Sequence, residues 1–141
     1  MKLVVDSNIV IAAMLKQGIT RELLMEAPIE FVSPEHMLGE LRSHRALIAK
    51  RAGLSAAEFD LLFALVSEKI SVVDSDTYKS TMAQASDLIG KHDLGDVPFL
   101  ALALASKCGI WSYNEKHFEG AGVRLWGTAD VAAWTRSSSA S

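Results

Sequence analysis

Short apolar runs recur along this chain at strand length, and a stretch with helical signals separates most of them. The runs are KLVVD (2–6), EFVS (30–33), ISVV (70–73) and IWSY (110–113), with VRLW (123–126) as a fifth. Strands that alternate with helices are joined by right-handed crossovers, so the sheet they build is parallel and covered on both faces. The expected fold class is therefore α/β: a three-layer α/β/α sandwich around a central parallel sheet of four to five strands.

The stretches between the runs carry their own start and stop signals. Residues 9–16 and 21–26 read as helices broken at Gly18. Ser33-Pro34 reads as an N-cap and a first helical residue, opening a helix that runs to about Arg51 and stops at Gly53. Ser55-Ala56-Ala57-Glu58 is a capping box, opening a helix to about Glu68. Asp74 or Ser75 caps a further helix that ends at Gly90. Residues 97–107 hold an almost unbroken apolar run, so the helix they form is buried nearly all round. A short helix at 129–134 closes the pattern. Trp111, Phe99 and the methionines at 14, 25, 37 and 82 read as core or interface filler. Residues 1–135 are expected to form a single domain, and 136–141 (RSSSAS) a disordered polar tail.

Composition removes several classes. Half of the 141 residues are hydrophobic and the mean hydropathy is +0.21, too apolar for a disordered chain. The single cysteine, Cys108, cannot form an intramolecular disulfide, which points to a reducing, cytoplasmic setting. The start, MKLVVDSNIVIAAML, is not read as a signal peptide, because Asp6 and Asn8 interrupt its apolar part. No apolar run approaches the ~20 residues of a membrane span. The net charge of −3 excludes capture of phosphate by bulk charge. Contact with nucleic acid would need a local basic patch or bound cations.

Ligands of open parallel sheets gather at the carboxyl ends of the strands. Asp6, Ser7 and Asn8 follow the first strand, and Ser112, Tyr113 and Asn114 end the fourth. Asp96 heads the apolar helix, with Asp93 three residues earlier on the same side of a helical turn. Glu40, in the helix after the second strand, can reach the same edge. Taken singly, each has an ordinary role: Asp and Asn cap helices and make turns, and Glu faces solvent. Taken together, carboxylates from distant segments converge on one edge, where they repel and raise one another's pKa. A hard divalent cation with oxygen ligands relieves that repulsion, and Mg2+ or Mn2+ suits it. Such an ion serves metal-dependent phosphodiester hydrolysis.

The order of these segments resembles a known family. A hydrophobic strand followed by DSN, then SPEHMLGEL, DLGDVPFLALALA and GIWSYNEKHF, is similar to the PIN-domain ribonucleases, which include the toxin halves of VapC-type toxin–antitoxin pairs. The likeness covers roughly the whole chain except the tail. It implies a parallel α/β/α sandwich and a metal-dependent endoribonuclease acting on RNA, with an antitoxin as partner if the chain is a toxin. By resemblance, Asp6, Glu40 and Asp96 fall on the family's catalytic, metal-binding acids, and Asn8 and Ser112 on polar supporting positions. Many members carry Asp where this chain has Asn114, and some carry an acid at the place of His117. An Asn can coordinate through its carbonyl oxygen but brings no charge, so Asn114 is read as a supporting residue and Asp93 as a further metal ligand. The neutral Asn114 favours one ion over two. It also keeps an alternative open: a PIN-like domain with weak or no catalysis that binds RNA or a protein.

His36, Glu40 and His44 share one helix face, but i and i+8 lie ~12 Å apart along the axis, so a zinc site there is set aside. Arg42, His44, Arg45, Lys50 and Arg51 form the chain's one basic cluster and, with Lys116 (beside His117), are the candidates for RNA phosphate contacts; the plainer reading is a solvated helix face. His92-Asp93 resembles the pair of all-helical HD-type phosphohydrolases, which the strands here exclude. Haloacid-dehalogenase-type phosphatases need a second acid where this chain has Asn8, which cannot act as one. Finally, Ile11, Met14, Leu15, Leu23 and Leu24 exceed what one sheet face is expected to cover, which suggests a homodimer or antitoxin surface on the first helices.

Overall fold

The structure, a computed structural model, describes residues 1–91 and 93–139. Its centre is a five-stranded, all-parallel sheet in the order β3-β2-β1-β4-β5. The strands are β1 (Lys2–Val5), β2 (Glu30–Pro34), β3 (Ile70–Val73), β4 (Gly109–Trp111) and β5 (Leu125–Trp126). β1 is central, and Leu3, Val4 and Val5 are buried, as expected of a strand covered on both faces.

The order of strands dictates the layers. The chain steps from β1 to β2 to β3 in one direction, then crosses back over β1 to lay down β4 and β5 on the other side. Right-handed crossovers in opposite directions place their helices on opposite faces. Thus α1 (Ser7–Leu15), α2 (Ile19–Glu26), α3 (His36–Ser43), α4 (Arg45–Ala52) and α5 (Ala56–Ser67) share one face. On the other lie α6 (Ser75–Tyr78), α7 (Met82–Ile89) and α8 (Val97–Ser106), with α8 packed on β1, β2 and β4. α9 (Thr128–Ser139) returns to pack on α2. The change of direction leaves a crevice between the carboxyl ends of β1 and β4.

α8 is the apolar helix that the sequence announces. Val97, Phe99, Leu100, Ala101, Leu102 and Ala103 are all buried, between the sheet and the α6–α7 pair. The capping box at Ser55 forms: Glu58 N–H donates to Ser55 Oγ at 3.1 Å, and Ser55 N–H to Glu58 Oε1 at 2.9 Å. Gly53 ends α4 in the left-handed conformation, φ 71°.

Four local expectations are corrected. Ser33 and Pro34 do not start a helix: Pro34 pairs with Val73 as the last residue of β2, and Ser33 Oγ donates to the Val5 carbonyl at 2.9 Å. The long helix to Arg51 is two helices, broken at His44, where Ser43 Oγ also bonds the Glu40 carbonyl that the backbone of His44 uses. The helix from residue 74 to 90 is interrupted by a 3-10 turn, Lys79–Thr81, where Thr81 Oγ1 reaches across to the Ala101 carbonyl at 2.6 Å. Residues 136–139 continue α9 rather than forming a tail, while 140 and 141, like His92, lie outside the described residues.

The apolar surface expected on the first helices is largely covered. Met14, Leu23 and Leu24 are buried, and Ile11 and Leu15 pack against the core from its margin, because α4, α5 and α9 lie over α1 and α2. Among the described residues, no helix is long and apolar enough to cross a membrane.

Candidate metal centre

Four acids gather at the crevice. Asp6 follows β1 and caps α1, its Oδ1 accepting from Ser7 N–H at 2.8 Å. Its second oxygen is left for other work: Ser112 Oγ, just past β4, donates to Oδ2 at 2.6 Å. Ser112 Oγ in turn accepts from Asn114 N–H at 2.8 Å and from Asn8 Nδ2 at 3.5 Å. Asn8 Oδ1 accepts from Tyr113 N–H at 3.3 Å. This chain of bonds stitches the ends of β1 and β4 together and sets the angle of the Asp6 carboxylate. Ser112 thus bonds the Asp6 carboxylate directly, Asn8 reaches it through Ser112, and Asn114 joins them through its backbone.

Asp96 closes a 3-10 turn, Leu94–Asp96, at the head of α8, but its side chain makes no capping bond. Its Oδ2 instead meets His117 Nδ1 at 2.8 Å. Capping therefore does not explain this acid. It does explain part of Asp93, whose Oδ1 accepts from Gly95 N–H at 2.8 Å. Glu40 lies on α3, half-buried, with His36 Nε2 at 3.0 Å one turn earlier. The His36 ring sets its edge against Phe99 of α8, tying the two helices that carry acids.

The electrostatics tie the acids into one group. Burial pushes Asp6 from 3.8 up to about 6, and the charges of Asp96 and Glu40 push the same way, against the Ser112 hydrogen bond. Burial also raises Glu40; His36 and the nearby Ser7 hydroxyl oppose this, while Asp96 and Asp93 add to it. Asp96 is raised by burial and by Asp93, against the contact with His117. Ser7 Oγ is the one buried side-chain polar atom without a hydrogen-bond partner among the described residues. It lies close enough to Glu40 to favour its charged form without making a full bond.

One grouping is tighter than the rest. Ligand atoms of Asp93, Asp96 and His117 lie within 4.8 Å of one another. Asp6 and Glu40 are not part of that triangle; Asp6 is bonded to Ser112, and Glu40 pairs with His36. The sequence places His117 at a position where some PIN-like chains carry an acid and beside Lys116 as an RNA contact, but does not single it out as a candidate metal ligand. The available signal was its position in EKHF, where some relatives carry an acid.

The basic candidates are dispersed. Arg42 is exposed in the last turn of α3. His44 Nδ1 is tied to the Glu40 carbonyl at 2.8 Å. Arg45 is occupied, forking onto Asp60 at 3.0 and 2.8 Å and lying over the Phe59 ring. Lys50 and Arg51 sit at the far end of α4, about 10 Å of helix rise beyond the break. Lys116 is exposed in the 3-10 turn Glu115–Phe118, beside His117.

The model of the PIN domain family matches residues 4–135. The chain belongs to the PIN domain family. Two solved structures show the same fold. The VapBC2 structure from Rickettsia felis, bound to a DNA fragment from the promoter, matches with a TM-score of 0.70 at 15% identity, over 90% of this chain and 98% of that one. VapBC-1 from nontypeable Haemophilus influenzae matches with a TM-score of 0.68 at 16% identity, over 92% and 99%. No curated protein sequence matches this PIN domain.

Proposed function

We propose that this PIN domain is an endoribonuclease that hydrolyses RNA phosphodiester bonds with one divalent ion, Mg2+ or Mn2+, as the toxin of a VapC-type pair. The acid cluster carries the reading. The carboxylates of Asp96 and Glu40 raise the proton affinity of Asp6, those of Asp96 and Asp93 raise that of Glu40, and that of Asp93 raises that of Asp96, while the side chains paired with the acids are His36 and His117. A cation among such carboxylates offsets both their repulsion and the cost of burying them.

The donor set fits such an ion. Carboxylate oxygens suit Mg2+ and Mn2+, and the imidazole of His117 tilts the preference toward the transition ion. The buried Ser7 hydroxyl still needs a partner, which a hydrated ion brings. Asp6, Glu40 and Asp96 would hold the ion, with Asp93 and His117 extending the set. When bound, the ion supplies an acidified water and positive charge beside the phosphate. Ser112 and Asn8 keep the Asp6 carboxylate in place, and His36 orients Glu40. Lys116 and Arg42 are the cations available to the RNA backbone.

Both solved structures are of VapBC complexes, which supports an antitoxin as partner. A groove of about 310 Å³ along α5, lined by Leu54, Leu61, Leu62 and Leu65 with Arg21 of α2 at its side, offers apolar surface to that partner or to a second copy of the chain. The free Cys108 fits a reducing cytoplasm.

The neutral Asn114 favours a second reading, a binding module without catalysis. Titration calorimetry with Mn2+ separates the two. The nuclease binds one equivalent, and Asp96→Asn weakens that binding at least tenfold. A wild type that takes up no Mn2+ sinks the nuclease and leaves the module.

A further inference from the structure

A hollow of about 410 Å³ adjoins the acids, lined by Tyr113, Asn114, Glu115, Lys116, His117 and Glu119. It shares His117 with the metal centre, since that ring is bonded to Asp96. Its most telling wall is Tyr113. Among the described residues, Tyr113 is the one aromatic among the large hydrophobic side chains left exposed, at 51%. The ring is nevertheless fixed. Its hydroxyl shares a hydrogen bond with Thr20, a buried residue of α2. Its backbone N–H is bonded to Asn8, which reaches Asp6 through Ser112. An apolar ring held rigid in water, and tied to the central carboxylate, is a platform already ordered for a ligand.

The rest of the wall names the ligand. The hollow is large enough for one nucleobase. The Asn114 amide carries both a donor and an acceptor, the equipment needed to read a base edge. Lys116 brings a positive charge next to it. Aromatic stacking, an amide at the edge and a nearby cation are how proteins take single-stranded RNA, whose unpaired bases can be splayed out.

We propose that this hollow is a nucleobase subsite: an unpaired base flanking the scissile phosphate stacks on Tyr113 and is read at its edge by Asn114, while Lys116 holds the adjoining phosphate. The proposal rests on the reading of the acid cluster as an RNA-cleaving centre. It gives Asn114, where many relatives carry Asp, a role toward substrate rather than toward metal. It also restricts the substrate to single strands or loops, because a paired base cannot enter.

The test uses Asp6→Asn as the parent, so that RNA stays intact. A fluorescein-labelled, mixed-sequence single-stranded octaribonucleotide is titrated in Mn2+ and followed by anisotropy. Tyr113→Ala on that parent should weaken binding about fivefold to a hundredfold, the range seen when a stacking aromatic is removed. Tyr113→Phe, which keeps the stacking ring but frees it from Thr20, should weaken binding less than Tyr113→Ala does. A 2-aminopurine octamer should be quenched by the parent and not by Tyr113→Ala. In the otherwise wild-type protein, Asn114→Ala should shift the preferred cleavage sites and leave Mn2+ affinity unchanged. If the wild type cleaves RNA but Tyr113→Ala binds as tightly as the parent, or if Asn114→Ala loses Mn2+, the subsite is overturned and the nuclease stands. If the wild type binds Mn2+ yet neither binds nor cleaves RNA, both fall together.

Discussion

Asp6 is the residue on which the site turns. Its carboxyl holds a proton to about pH 6 in the native chain, against 3.8 ordinarily. Between those values the native state binds more protons than the unfolded state, so stability falls as pH rises. The displacement is equivalent to roughly 3 kcal/mol, present below about pH 4 and lost above about pH 6. Glu40 and Asp96 move in the same direction. The metal-free protein should therefore unfold more easily in urea at pH 7 than at pH 5, and Asp6→Asn should flatten that slope and stabilise it at pH 7. An apo protein whose stability rises through this window contradicts the assignment. Ser112→Ala removes the hydrogen bond that aims Asp6; it should weaken Mn2+ binding about 10- to 100-fold, as losses of ligand-supporting groups do, with the fold intact by circular dichroism. At this scale the sequence was readable where residue type alone carried the meaning. Asp6 and Asp96 are noticeable at the end of a strand and the head of a helix, whereas Glu40, inside α3, gains meaning only in their company. His117 does not stand out, because its meaning depends on a 2.8 Å approach to Asp96 across 21 residues of chain.

Among the elements, α8 is a rigid mount. Its buried residues fix the depth at which Asp96 meets the crevice. Leu100→Ala should cost about 2–5 kcal/mol of stability, read by urea denaturation, and lower activity only as far as it lowers the folded fraction. Ser55→Ala, at the capping box of α5, should cost about 1 kcal/mol and leave cleavage unchanged, since nothing there touches the acids. Elements with local signals were legible: the capping box, the Gly53 stop and the apolar run of α8. Those decided by tertiary contacts were not. Ser33 resembles a cap until the Val5 carbonyl takes its hydroxyl. The break at His44, after which α4 packs on α1, carries no Gly or Pro to mark it in the sequence.

For the molecule as a whole, alternation of strands and helices was enough to name the parallel sheet, but not the strand order, because nothing local says on which side of β1 the chain lays β4. That crossing creates the crevice where the acids meet. The apolar side chains of α1 and α2 expected to form a partner surface are largely covered for a related reason: helices distant in sequence lie over them. With a net charge of −3, the protein is expected to rely on its ion to draw RNA. Mn2+ at a hundred times its dissociation constant should stabilise the fold by about 3 kcal/mol and raise Tm by about 8 °C, read by thermal scan. The gain should shrink at pH 5, where protons compete for the carboxylates. The measurement that reaches the central claim most directly is cleavage of single-stranded RNA by purified wild type and Asp6→Asn, each with Mn2+ and with EDTA. The account predicts cleavage by the wild type in Mn2+ alone. Cleavage that survives either EDTA or Asp6→Asn contradicts it.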